Sequence, residues 1–125
     1  RTCALPILTR RDLQNEMKKQ GRPWCIGKAF EHSAPISPIT PADQIADITQ
    51  SAISLHVNGQ ERQRSHIHHL IWNIAETIEH LSAAWTLQAG DLIFTGTPAG
   101  VGAVVTGDTM IGAITGLGEL HVCMR

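Results

Sequence analysis

The chain has 125 residues, a formal net charge of −1, no Tyr and only two Phe. That length allows one domain with a core, and the charge balance gives nothing to steer it to nucleic acid or an anionic membrane. No apolar run approaches the roughly 18–20 residues that cross a bilayer, the apolar stretch within residues 1–8 is short for a signal peptide, and Cys3, Cys25 and Cys123 form no CxxC pair, so the expectation is a soluble cytoplasmic domain with free thiols.

In chain order, Thr9 is placed to cap a helix running to about Gln20, with Asp12 as its capping-box partner and Gly21 and Pro23 as its stop. Pro35, Pro38 and Pro41 make residues 33–43 an extended surface segment. Ile53, Leu55 and Val57 alternate with polar residues as a half-buried strand, and Asn58-Gly59 turns it into a hairpin returning through Glu61–Arg64. From Ser65, the spacing of Ile67, Leu70, Ile71, Ile74, Ile78 and Leu81 predicts one long helix. Strands are expected at about 91–95, 101–105, 109–115 and 119–124, broken by Gly107-Asp108 and Gly116-Leu117-Gly118. Few helices among many strands make a β-rich α+β domain.

Two stretches carry the chemistry. Gly27-Lys28-Ala29-Phe30 sets one cation among Gly and apolar neighbours, where the backbone approaches a ligand closely and a charge acts strongly. Thr95-Gly96-Thr97-Pro98-Ala99-Gly100-Val101-Gly102 follows the apolar run Leu92-Ile93-Phe94, so a strand ends in an open loop bearing hydroxyls. Together they suit a small anionic or carbonyl-rich molecule. Arg11 offers a fork for a carboxylate and Gln14 both a donor and an acceptor, although Arg11, Asp12 and Gln14 also fit a solvated helix face. Lys28 alone also fits a surface lysine. His66, His68 and His69 form a cluster whose spacing does not put three ligands on one helix face, so a solvent-facing helix start is expected. His32, beside Glu31, fits a plain loop position, and Cys25 has no base named near it.

Taken as a set, Thr9-Arg10-Arg11-Asp12-Leu13-Gln14, Gly21-Arg22-Pro23-Trp24, Gly27-Lys28-Ala29-Phe30, Ser33-Ala34-Pro35-Ile36, Val57-Asn58-Gly59, Gln88-Ala89-Gly90-Asp91-Leu92-Ile93 and the 95–102 loop resemble the fumarylacetoacetate hydrolase family, in family order from Thr9 onward. The Thr-Arg-Arg-Asp-Leu-Gln and Gly-Lys-Ala-Phe-Glu forms are most similar to the bacterial members that act on fumarylpyruvate in gentisate breakdown. The resemblance implies a mixed β-roll, incomplete at its N-terminus, with residues 1–8 as an atypical junction and 9–125 as the C-terminal part of the catalytic domain. It implies hydrolysis of a C–C bond in a diketo acid with a divalent metal, Mg²⁺ or else Mn²⁺ or Ca²⁺, and a homodimer. Lys28 matches the catalytic lysine, and Arg11, Gln14 and Thr97 match substrate-contacting positions. An acylpyruvase, a 2-oxo-acid decarboxylase or isomerase on the same scaffold, and a non-catalytic dimerisation module are the alternatives.

Two departures bear on activity. Where the family carries a metal-binding Asp, two residues before the Thr of its first block, this chain has Ile7, which binds no hard cation. The family's Glu-x-Glu ligands and His–Glu pair belong to an N-terminal half outside residues 1–125. No metal ligand is therefore assigned, and a C-terminal fragment inactive on its own is expected.

Overall fold

The computed structural model describes residues 6–125. Its centre is an open, four-stranded antiparallel sheet of β1 (Ala52–Val57), β2 (Gln60–His66), β3 (Thr109–Ile114) and β4 (Gly118–Cys123), in the order β2-β1-β3-β4. Helices α1 (Arg11–Lys19), α2 (Cys25–Lys28) and α3 (Ile74–Ala84) complete the regular elements. The expected α+β class holds, with its sheet open at both edges.

Asn58 and Gly59 both take positive φ, 52° and 77°, the turn that matches the twist of a two-residue hairpin. The turn is clamped from outside. Asn58 Nδ2 donates to Asp108 Oδ1 at 2.8 Å, and the Thr109 amide donates to Asn58 Oδ1 at 2.9 Å. The Val105 amide donates to Asp108 Oδ2 at 2.8 Å. These bonds, the Val105 amide first and Asn58 second, hold the Asp108 carboxyl below its ordinary value of 3.8. A depressed folded-state pKa gives stability that is present above the unfolded value and lost as pH falls through the folded one. Acidification below about pH 4 is expected to loosen this clamp, seen as titrating Val105 and Thr109 amide shifts, and Asp108→Asn is expected to abolish that acid-dependent change.

A second feature of the hairpin matters for the site. Leu55 pairs with Gln63 but His56 pairs with Glu61, which leaves Arg62 as an extra residue, a β-bulge. The bulge re-aims the side chains on either side of it, and Gln63 is buried at 8% exposure.

Three expectations are corrected. The helix from Ser65 is instead the end of β2, whose Ser65 and His66 pair with Ile53 and Ala52, then a 3₁₀ turn over Ile67–His69, then α3. Ile67 and Leu70 keep helical spacing because a 3₁₀ turn shares the i, i+3 repeat. The true start signal is Asn73 with Glu76, a capping box at 3.0 and 2.8 Å. Thr9 does not cap α1; Arg10 holds that position with no side-chain bond. Residues 91–95 and 101–105 form no strands, although their composition favours them, because strand propensity needs a partner to supply the ladder.

Buried apolar side chains among the described residues are Val57, Met110 and Ile114, and no residue between Gln63 and Met110 is buried. The chain exposes 8880 Å², whereas a compact chain of 13.6 kDa exposes about 6,600 Å². Trp85, Leu92, Phe94, Val101 and Val105 are among the exposed apolar residues. No helix among the described residues is long and apolar enough to cross a membrane, and Cys25 and Cys123 are free thiols, with Cys3 outside the described residues.

Candidate active site

The two stretches singled out in the sequence meet. Lys28 and Arg11, Thr97 in the Gly-rich loop, and Leu55 of β1 and Met110 of β3 all line one solvent-open cavity of about 560 Å³. That volume lies in the range of small-molecule sites.

The cationic wall is built by close backbone packing. The Arg10 amide donates to the Gly27 carbonyl at 3.0 Å, and a Cβ at Gly27 would sit 3.0 Å from the Gln14 amide nitrogen. A Cβ there would be tighter than most real contacts, so glycine suits this close approach of α2 to α1. The approach places Lys28 at the end of α2 so that its Nζ donates to Thr9 Oγ1 at 2.8 Å. Thr9 thus orients the lysine and leaves the helix uncapped. Among the described residues, neither Lys28 nor Arg11 lies within ion-pair distance of a carboxylate. Arg11 Nη1 donates to Gln14 Oε1 at 2.6 Å, and Gln14 is buried at 7% exposure. Gln14 stands behind Arg11 and does not line the cavity.

The loop wall is held by β2. Gln63 Nε2 donates to Thr97 Oγ1 at 2.8 Å and to the Pro98 carbonyl at 2.7 Å. Gly100, at φ 102°, is pressed against the bulge, where a Cβ would overlap the Arg62 carbonyl oxygen. Gln63 carries no signal in the sequence, because a lone glutamine after a hairpin turn acquires its role only through the bulge at Arg62.

Among the described residues, every charged group lining the cavity is a cation: Arg11, Lys28 and Arg62. Ile7 lines it too, and no Asp, Glu or His does. Among the described residues, no group of three or more His, Cys, Asp or Glu side chains is placed to hold a metal ion. This donor set does not fit a hard divalent cation, which asks for carboxylate oxygens; it fits an anion.

The other singled-out residues lie elsewhere. His66, His68 and His69 pack their rings together, with centroids 4.3 to 5.8 Å apart, and Ser65 Oγ lies 3.2 Å from His69 Nδ1. They sit at a strand end and 3₁₀ turn, away from the cavity lining. His32 is an exposed turn residue at φ 59°.

Motifs, fold and cavity together define the class: residues 5–125 match the fumarylacetoacetate (FAA) hydrolase C-terminal family, and the chain belongs to the fumarylacetoacetate hydrolase family. It is 50% identical over 115 residues to a fumarylpyruvate hydrolase of a Ralstonia species, covering 92% of this chain and 59% of that one. A crystal structure of fumarylpyruvate hydrolase from Pseudomonas aeruginosa, in complex with Mn²⁺ and pyruvate, matches with a TM-score of 0.90 at 59% identity, covering 93% of this chain and 50% of that one. An oxaloacetate tautomerase of Escherichia coli K12 is 43% identical over 104 residues, covering 82% of this chain and 48% of that protein. The chain therefore spans about half the length of the relatives it matches.

Proposed function

We propose that the chain supplies the substrate-binding wall of an enzyme that hydrolyses a C–C bond in a diketo acid such as fumarylpyruvate. The observation that carries this reading is a largely apolar cavity whose lining brings together Lys28, Arg11 and Thr97, in a chain similar to a hydrolase crystallised with pyruvate. Arg11 takes a carboxylate, held in aim by Gln14 behind it. Thr97 takes a carbonyl or carboxylate oxygen. Lys28, held by Thr9, offsets the negative charge that grows on the ligand as a carbanion leaves. Among the alternatives, a tautomerase acting on a 2-oxo acid uses the same wall, and the E. coli relative supports keeping it as the second reading.

Residues 6–125 offer no donor set for a divalent cation, so this wall binds without one and no catalytic step is assigned to it alone. The expected result is that fumarylpyruvate, titrated into the chain with Mn²⁺ present, binds while its diketo-enol absorbance persists. Rapid loss of that absorbance would contradict the account of this chain as a binding wall, and absence of binding would contradict the substrate class.

We further propose that the cytoplasmic form is a homodimer. Support comes from the roughly 2,300 Å² by which the chain's 8880 Å² exceeds a compact monomer of its mass, ample for the ~800 Å² per partner of an ordinary interface. Light scattering is expected to show a dimer or larger species; a stable monomer with a cooperative melt would contradict it.

A further inference from the structure

We infer that Gln63 is a positioning residue that fixes the Thr97 hydroxyl as a hydrogen-bond donor toward the ligand, and so selects ligands that present an acceptor there. The inference rests on the reading of the cavity as a site for a 2-oxo acid, and it adds a residue that lies on the sheet, outside both motif stretches.

The surroundings of the Gln63 amide fix its orientation. One side-chain atom reaches both Thr97 Oγ1, at 2.8 Å, and the Pro98 carbonyl oxygen, at 2.7 Å. A backbone carbonyl only accepts, so the atom facing it is the NH₂ group. Its two protons serve the two oxygens. Thr97 Oγ1 is therefore an acceptor toward Gln63. A hydroxyl has a single proton to give, and with the Gln63 side already donating, that proton turns away from β2 and is available on the cavity side, which Thr97 lines.

Gln63 is itself tightly placed. It is 8% exposed, it follows directly on the bulge at Arg62, and a Cβ at Gly100 would lie 3.2 Å from its Cγ. A buried amide with both protons used is costly to leave unsatisfied, so the Gln63–Thr97–Pro98 unit has one arrangement. With Lys28 and Arg11 also donors only, the cavity presents donors from both walls. A carboxylate or ketone satisfies all of them, whereas an alcohol or amine of the same shape satisfies them poorly.

Gln63→Glu is the informative variant. It keeps the size of the side chain but removes both donors: a carboxylate there accepts the Thr97 proton, which reverses the hydroxyl, and gives up the bond to the Pro98 carbonyl, a loss that Gln63→Met shares. Two measurements go together. The Thr97 hydroxyl-proton shift and its three-bond coupling to Hβ, which follow rotation about the Cβ–Oγ1 bond, are expected to report one hydroxyl orientation in the unmodified chain and a changed or averaged one in Gln63→Glu, with the amide shifts of β1 and β3 unaltered. Pyruvate affinity is expected to fall roughly tenfold in Gln63→Glu and in Thr97→Val, and to fall no further when the two are combined, since both remove one donor. Gln63→Met, which neither donates nor accepts, is expected to fall between the unmodified chain and Gln63→Glu. An unchanged Thr97 hydroxyl orientation in Gln63→Glu, or fully additive losses in the double variant, would overturn the inference. If pyruvate binds none of the chains, the ligand class is wrong, and the Thr97 hydroxyl orientation alone still decides whether Gln63 sets it.

Discussion

Gly100→Ala is expected to detach the 95–102 loop from β2 and abolish measurable binding of 2-oxo acids, while the neighbouring Gly102→Ala leaves binding intact. Gly100 has φ 102° and its missing Cβ would overlap the Arg62 carbonyl oxygen, whereas a Cβ at Gly102 meets nothing within 4 Å. A side chain at such a φ costs about 1–2 kcal/mol, and overpacking against rigid backbone costs about 1–3 kcal/mol more. The obstructing atom belongs to the bulge, which is fixed by pairing on both sides of it, so the loop gives way and the sheet does not. Circular dichroism should therefore show a folded chain with a lowered melting point, and calorimetric titration should show lost binding. Equal affinities for the two alanine variants would mean that the loop does not form part of the site.

Lys28→Ala is expected to weaken pyruvate binding by roughly 10- to 100-fold, the scale of a hydrogen bond to a charged group, with little change in melting temperature. The lysine is exposed, and among the described residues its side chain donates to Thr9. Removing it takes nothing from the sheet. In an assembled enzyme that turns over, the loss is expected to fall more on kcat than on KM, because charge on the substrate is greatest in the transition state. Lys28→Arg should restore charge but not aim, since a guanidinium is longer and planar and does not reproduce the Thr9 contact. Affinity unchanged in Lys28→Ala would remove the lysine from the binding wall.

Much of this site was legible in the sequence because its groups lie in two short stretches with strong local chemistry. Gly27 before Lys28 signals close backbone approach, and the glycines around Thr97 signal an open loop. Asn58-Gly59 announced a hairpin that formed as expected. What stayed hidden is relational. Gln63 acquires its role only through the extra residue at Arg62, and a bulge leaves no pattern in a single strand. Ser65 and His66 read as helix because apolar spacing over Ile67–Leu81 was strong, while the ladder to Ile53 and Ala52 is a long-range fact. The segments 91–95 and 101–105 have strand composition without strand partners in this chain, so local propensity and outcome part company there.

The proposed reading makes one cavity, lined by Lys28, Arg11 and the Thr97 loop, the site of a small 2-oxo acid. Its most direct test is amide chemical-shift mapping of the isotope-labelled chain on addition of pyruvate without metal. The claim predicts saturable shifts confined to residues around Thr9–Arg11, Lys28, Arg62–Gln63 and 96–102, lost together in Lys28→Ala. Shifts centred instead on His66–His69, or absent at saturating pyruvate, would contradict it.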